Sequence, residues 1–322
     1  MAYRVLIPQD VVEEGKKYLR DRGHEIVMGT GITPEILSRE IAACDAVLVR
    51  TAILSADVIG AAPRLKAIAK HGVGLDNIDL DAATRRGVYV MNAPESNSRS
   101  VAEQTLGLIL ACVRGLVRCD TELRNGNFEI RNQLNGYDLI GKTLGIVGIG
   151  RIGSIVAWIA RHGFSMNVIA CDPNVSELPG IPDLTTCPLD DLLAQSNIVT
   201  LHVPAKPDTI GMIGAAQFET MKDTAYLINA ARGQIVDEEA LVEALRSGSI
   251  AGAGIDVFET EPPAHDHPLF SLPNVVVQPH SAALTRESTV RMALHAAMGI
   301  DDVLSGRTPK WPANDPVPER HL

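Results

Sequence analysis

Short runs of consecutive apolar residues recur along the chain. They are separated by stretches whose apolar positions fall three and four residues apart. Residues 5–7, 46–49, 65–69 and 88–91 form a first series of such runs. Residues 143–147, 167–170, 198–203, 225–229, 254–256 and 275–277 form a second. Near-continuous apolar runs predict strands covered on both faces. Their alternation with helical patterns predicts parallel sheets flanked by helices. The expected fold class is therefore α/β, with two doubly wound parallel-sheet domains in 322 residues.

The pattern breaks near residues 92–100, where Pro94, Asn97 and two serines mark a loop. Ser100-Val101-Ala102-Glu103 then has the form of a capping box, which predicts one helix running to about Cys119. Residues 125–141, rich in Gly and Asn, read as a loop, and the proline-containing residues 312–322 as a surface tail.

Charge narrows the function classes. Lys plus Arg number 29 and Asp plus Glu 39, a net −10, which lacks the basic footprint of a nucleic-acid binder. No partnership with nucleic acid or an anionic membrane is expected. The longest apolar stretch, residues 106–113, is far short of a bilayer span, and residues 1–10 meet a charge and a proline too early for a signal peptide. The five cysteines (Cys44, Cys112, Cys119, Cys171, Cys187) contain no C-x-x-C, which points to reduced thiols and a cytoplasmic location.

The strongest local signal is Gly148-Ile149-Gly150-Arg151-Ile152-Gly153. It follows an apolar strand and opens a helical pattern. Small residues let a backbone approach a pyrophosphate, and the helix N-terminus supplies N–H groups and partial positive charge. Asp172 ends the next strand, where an acid receives the adenosine ribose hydroxyls and repels a 2′-phosphate. The cofactor expected is NAD.

Three residues then supply an acid–base set. Arg232 follows the strand at 225–229, Glu261 lies in Glu259-Thr260-Glu261-Pro262, and His280 follows the strand at 275–277. Hydride transfer to a 2-oxo acid needs a fixed cation on the carboxylate, a proton donor titrating near neutrality, and a carboxylate that orients that donor. Arg232, His280 and Glu261 can fill these roles in that order.

Six segments together resemble the D-isomer-specific 2-hydroxyacid dehydrogenase family, nearest its 3-phosphoglycerate dehydrogenase and hydroxypyruvate reductase branches. They are KHGVGLDNIDLDAATRRGVYVMNAP, NSRSVAEQTLGLIL, GKTLGIVGIGRIGSIVA, LINAARGQIVDEEALVEAL, AGIDVFETEPP and NVVVQPH, in the family's order. The resemblance implies a flavodoxin-like substrate domain, residues 1–98 and 289–322, with a Rossmann domain, residues 99–288, inserted in it. It implies a homodimer formed through the cofactor domains. It assigns Arg232, Glu261 and His280 as the catalytic set, and Arg151 and Ile152 to the pyrophosphate loop. Val203, Ala230 and Ala231 would line the cofactor, Asp256 would hold the nicotinamide amide, and the N–H groups of Val73 and Gly74 would hold the substrate carboxylate. Ser281-Ala282-Ala283 departs from the family's glycine-containing turn and adds methyl groups near the nicotinamide.

Arg50 and Lys70 end adjacent predicted strands, at positions where the phosphoglycerate branch carries phosphate-binding arginines. They suggest a second anionic group on the substrate, and a 3-phosphoglycerate-like acid. The alternative is a hydroxypyruvate or glyoxylate reductase. An alternative of another class is an NAD(H)-sensing, corepressor-like interaction protein. Arg99 faces either substrate or solvent. His71 and His202 are polar residues at strand ends, where either can touch ligand, but they read first as satisfied structural histidines. His265-Asp266-His267 lacks the further ligands a metal would need, so no metal is expected.

Overall fold

The computed structural model describes residues 2–175, 181 and 184–316. The chain divides into two units, Met1–Asn97 with Leu284–Leu322, and Ser98–Ala283. The sequence boundaries at 98/99 and 288/289 move slightly. Thr285 caps a helix that starts at Arg286, its Oγ1 accepting from the Ser288 N–H at 3.0 Å. That helix belongs to the first unit and adds Ala293, Ala296, Ala297 and Ile300 to its core, so the return to it begins at Leu284.

The first unit has strands β1 (Arg4–Ile7), β2 (Glu25–Met28), β3 (Ala46–Val49), β4 (Ala67–Lys70) and β5 (Tyr89–Met91). All pairs are parallel, in the order β2-β1-β3-β4-β5. This is the flavodoxin-like doubly wound order. Alternate residues of the strands enter separate cores. Leu6, Val47, Val49, Ile68 and Val90 face helices α2 (Pro34–Ile41), α3 (Ala56–Gly60) and α4 (Leu80–Arg85). Val5, Ile7, Ala46, Leu48, Ala67 and Ala69 face α1 (Glu13–Asp21) and the helix Arg286–Leu304. Burial on both faces is why these strands read as unbroken apolar runs.

The second unit opens with α5 (Ser98–Val113) and α6 (Leu116–Arg124). The single helix expected over 100–119 is broken, because Gly115 takes a left-handed conformation with φ 58°. Ser100 lies buried inside α5 and does not cap it. Residues Phe128–Asn132, expected as loop, form a 3-10 helix. Strands β6 (Thr143–Val147), β7 (Asn167–Cys171), β8 (Thr185–Thr186), β9 (Ile198–Leu201), β10 (Tyr226–Asn229), β11 (Gly252–Ile255) and β12 (Val275–Val277) form one parallel sheet, in the order β12-β11-β10-β9-β6-β7-β8. Helices α7 (Arg151–Phe164), α8 (Leu189–Gln195), α9 (Ala215–Thr220) and α10 (Glu238–Ser247) follow β6, β8, β9 and β10. The last helix of the chain, α11, is Arg286–Leu304 of the first unit. The strand order reverses between β6 and β9, the switch point where open α/β sheets bind ligands.

The tail beginning at Pro312 is fixed, not loose, at its start. Ala313 N–H donates to the Val90 carbonyl at 2.7 Å, and Asn314 bonds Val90 and Val88. Residues 317–322 lie outside the described set. All five cysteines are unpaired. Among the described residues no single helix is long and apolar enough to cross a membrane.

Candidate active site

The phosphate-loop fingerprint sits at the switch point. Gly148, just past β6, has φ 91°, a conformation side chains avoid. A Cβ on Gly153 would stand 2.2 Å from the Gly148 carbonyl oxygen, so helix and loop close only on glycine. Around Gly150, at the N-cap of α7, nothing lies within 4 Å of where a Cβ would be. That open cradle, with exposed Arg151 and half-buried Ile152 in the first turn of α7, fits a dinucleotide pyrophosphate. Val203 packs directly beside Gly148. Asp172 bonds this same loop. Its Oδ2 accepts from the Ile149 N–H and its Oδ1 from the Asn174 N–H, both at 2.9 Å.

Arg232, Asp256 and His280 follow the carboxyl ends of three neighbouring strands, β10, β11 and β12. A parallel sheet brings such ends to one edge. Asn229, at the end of β10, shapes the turn that carries Arg232. Its Oδ1 accepts from the Ala231 N–H at 3.0 Å, and its Nδ2 donates to the Arg232 carbonyl at 2.9 Å. Sequence reasoning missed Asn229, although an Asn ending a strand before a turn is itself a signal.

Asp256 is buried and fastens the turn at His280. Its carbonyl accepts from the His280 N–H at 2.7 Å, and its carboxylate accepts from the Ser281 and Ala282 N–H groups at 2.8 and 2.9 Å. Burial nevertheless raises its carboxyl above the usual aspartate value, the two N–H groups only partly opposing this. His280 thereby holds a left-handed backbone, φ 51°, the uncommon region in which functional residues cluster. The methyl group of Ala282 packs into a small cluster with Val101, Ala230 and Ile152, and Ala283 borders it. Ala231 is half-buried at its side.

His280 Nδ1 lies 2.7 Å from Glu261 Oε2. A carboxylate only accepts, so Nδ1 carries the proton and Nε2 is left for chemistry. Glu261 Oε1 accepts from the Phe258 N–H at 3.1 Å. Burial works to raise the Glu261 carboxyl. The His280 hydrogen bond and charge outweigh it, aided by the Phe258 N–H and the Arg232 cation, and hold the group below the ordinary glutamate value. Arg232 is half-buried, and its Nη1 donates to the Ala231 carbonyl at 2.6 Å. Glu261 and His280 are thus in contact, at the sheet edge that also carries Arg232. An apolar cavity lined by Phe258, Phe270, Val277 and Pro279 adjoins the pair.

His202, after β9, is not satisfied as the sequence reading expected. Its Nε2 contacts Thr200 Oγ1 at 3.1 Å, but Nδ1 is buried with no partner, and burial pushes the ring down to about 4. His71 in the first unit behaves alike, with Nε2 buried and unpartnered. Burial and the Arg50 cation take it to about 4. Arg99 pairs with Glu103 on the surface of α5.

The remaining residues of the sequence set lie in the first unit. Val49 and Lys70 are register partners, so Arg50 emerges beside the end of β4. Lys70 Nζ donates to the Arg50 carbonyl and to Asn77 Oδ1. Asn77, which the sequence did not suggest, also donates to the Ala52 carbonyl at 2.6 Å and knits these strand ends. The Arg50 guanidinium donates to the Asp10 carbonyl at 3.2 Å. The loop holding Val73 and Gly74 is fastened through its carbonyls, Gly72 O to the Ala93 N–H and Val73 O to Asn92 Nδ2, both at 2.8 Å.

Comparison with known proteins agrees with this architecture. The family model described as "D-isomer specific 2-hydroxyacid dehydrogenase, NAD binding domain" matches residues 106–282. D-3-phosphoglycerate dehydrogenase of Archaeoglobus fulgidus is 44% identical over 94% of this chain and 58% of that protein. Glyoxylate reductase of Korarchaeum cryptofilum is 37% identical over 98% of this chain and 97% of that protein. The solved structure of the TT0316 protein from Thermus thermophilus is 36% identical with a TM-score of 0.91, covering 97% of this chain and 100% of that one. The chain spans 49 to 61% of the first phosphoglycerate dehydrogenases it matches. The chain belongs to the D-isomer specific 2-hydroxyacid dehydrogenase family, with an NAD-type cofactor domain in Ser98–Ala283.

Proposed function

We propose that this chain is an NAD-dependent (R)-2-hydroxyacid dehydrogenase whose substrate is 3-phosphoglycerate-like. The observation that carries the reading is the 2.7 Å His280–Glu261 contact beside Arg232, at the carboxyl edge of a dinucleotide-binding sheet. Bound NAD would supply the hydride acceptor at nicotinamide C4. Arg232 holds the substrate carboxylate and polarises the C2 oxygen. In oxidation the C2 hydroxyl gives its proton to His280 Nε2 as the C2 hydride leaves. In reduction the imidazolium returns that proton to the new alkoxide. Glu261 keeps the ring oriented through its 2.7 Å contact with Nδ1. Val73 and Gly74 supply N–H groups to the substrate carboxylate. Asp256 holds the His280 turn and would offer its remaining acceptor capacity to the nicotinamide amide, while Val203, Ala230 and Ala231 would line the cofactor.

NAD is preferred over NADP in this reading because Asp172, bonded to the phosphate loop, would stand beside a 2′-phosphate. A homodimer through the cofactor domains is supported by α6, which buries none of its residues and exposes Leu116, Val117 and Leu123. Sedimentation of a monomer at micromolar concentration would remove this part of the reading. The location is cytoplasmic.

The phosphoglycerate-like substrate is supported by Arg50 at the strand end and by the 44% identity to a phosphoglycerate dehydrogenase. One observation favours hydroxypyruvate or glyoxylate instead. The Lys70 ammonium is already bonded to Asn77 and the Arg50 carbonyl, which leaves Arg50 to meet a second anion. The test is NADH oxidation against phosphohydroxypyruvate, sulfopyruvate, hydroxypyruvate, glyoxylate and pyruvate, repeated with Arg50→Ala. The expected result is a preference for a doubly anionic substrate that falls about 10- to 100-fold in the variant, the loss of one charge-assisted contact of about 1.5–3 kcal/mol. A preference for hydroxypyruvate or glyoxylate, indifferent to Arg50, discards the second anion site. Turnover on none, with NADH-dependent capture of a partner, replaces the enzyme by a sensor. In the same assay Asp172→Ser should raise NADPH use relative to NADH by about tenfold, or about 1.4 kcal/mol. An unchanged ratio takes cofactor choice away from Asp172.

A further inference from the structure

The segment after Arg232 and the segment that carries Glu261 are fastened to each other. Gly233 lies so close to the second segment that a Cβ on it would stand 1.9 Å from the Phe258 carbonyl carbon. Gln234 Nε2 donates to the Glu259 carbonyl at 2.9 Å. Glu238, the first residue of α10, uses both its carboxylate oxygens there. Oε2 accepts from the Glu259 N–H at 3.1 Å, and Oε1 lies 2.6 Å from His267 Nε2. Glu259 and His267 bracket the stretch that holds Glu261. Pro262 and Pro263 remove two backbone donors from that stretch, and side chains supply much of what holds its ends.

The His267 ring is itself fixed. The Leu269 N–H donates to Nδ1 at 3.3 Å, so the proton sits on Nε2 and is given to Glu238. Phe258 and Phe270 enclose the ring, with centroids at 5.4 and 5.3 Å. The His267 and Glu238 side chains are only 11% and 19% exposed, so their bond forms largely out of water, where it is strong and directional. In sequence His267 reads as half of a metal pair. Among the described residues no group of three ligands able to hold a metal exists.

We propose that Glu238 and His267 are positioning residues for proton transfer. They clamp residues 258–267 so that Glu261 keeps its contact with His280. The inference rests on the dehydrogenase reading and deepens it, because the clamp acts on the proposed acid–base pair through Glu261.

A double-mutant cycle tests it. His267→Ala should lower kcat about tenfold while the KM for NADH stays unchanged, and His267→Gln, whose amide can still donate to Glu238, should recover most of the loss. In a Glu261→Gln background the His267→Ala loss should vanish, since there is no longer a carboxylate to position. Losses that multiply overturn the clamp. Should His267→Ala not fold, the near-isosteric Glu238→Gln takes its place in the cycle. If Glu261→Gln alone leaves kcat unchanged, the dehydrogenase reading fails, and a readout without turnover then decides the clamp. The His280 ring resonances, assigned with His280→Gln, should move in His267→Ala to where they stand in Glu261→Gln. Resonances that do not move overturn the proposal.

Discussion

Replacing His280 by Gln or Asn should lower kcat by about 10²- to 10⁴-fold in either direction, the range for removing a positioned general acid–base. NADH binding, followed by fluorescence, should survive. The two variants separate chemistry from backbone. His280 sits at φ 51°, where Asn is tolerated better than most residues, so Asn keeps the turn built on Asp256. Gln is longer and keeps an amide within reach of Glu261. Neither exchanges a proton at neutral pH, so both should fail alike. A large loss in Gln alone would point to a distorted turn, and substantial turnover in both removes His280 as the acid–base. The wild-type pH profiles carry a companion signature. Reduction consumes the imidazolium and oxidation the neutral ring, so the two directions should have opposite pH dependence, and the variants should lose this part of it.

What the sequence made legible follows from burial. Strands such as Ala46–Val49 and Ile198–Leu201 are covered on both faces, so their apolar runs stand out. The edge strands Glu25–Met28 and Thr185–Thr186 escaped notice because solvent reaches them, leaving no unbroken run to read. The break at Gly115 escaped because apolar spacing continues across it, and only the backbone torsion reveals the turn. Catalytic candidates were legible for a different reason. Arg232 and His280 follow strand ends, and a parallel sheet gathers such ends whatever their separation in sequence. The supporting contacts were not legible. Asp256 holding the 280–282 turn, Asn77 receiving Lys70, and Glu238 meeting His267 29 residues away all depend on neighbours that no local pattern announces. Lys70 shows what charge alone leaves out, since this strand-end cation also donates to the Arg50 carbonyl and to Asn77 Oδ1.

Arg232→Lys should lower kcat/KM for the 2-oxo acid by about 100-fold, about 2.7 kcal/mol, while NADH affinity is unchanged. Lysine keeps the charge and loses the planar fork, so the variant asks whether geometry or charge matters. The surroundings argue for geometry. Asn229 bonds on both sides of the turn that carries Arg232, and one guanidinium nitrogen is tied to the Ala231 carbonyl at 2.6 Å. The fork is therefore aimed before substrate arrives, and an ammonium, whose donors all radiate from one nitrogen, lacks the two coplanar nitrogens that meet a carboxylate in parallel bonds. The division between kcat and KM then says what the residue does. A contact to the carboxylate alone binds ground state and transition state equally, and its loss raises KM with kcat intact. A contact that also reaches the C2 oxygen strengthens as charge develops there, and its loss lowers kcat as well. Both parameters should worsen here, because Arg232 and His280 follow the carboxyl ends of β10 and β12 at one edge of the sheet, and the Arg232 cation helps to lower the Glu261 carboxyl. A rise in KM alone would confine Arg232 to anchoring the substrate, and an unchanged kcat/KM would remove it from the site.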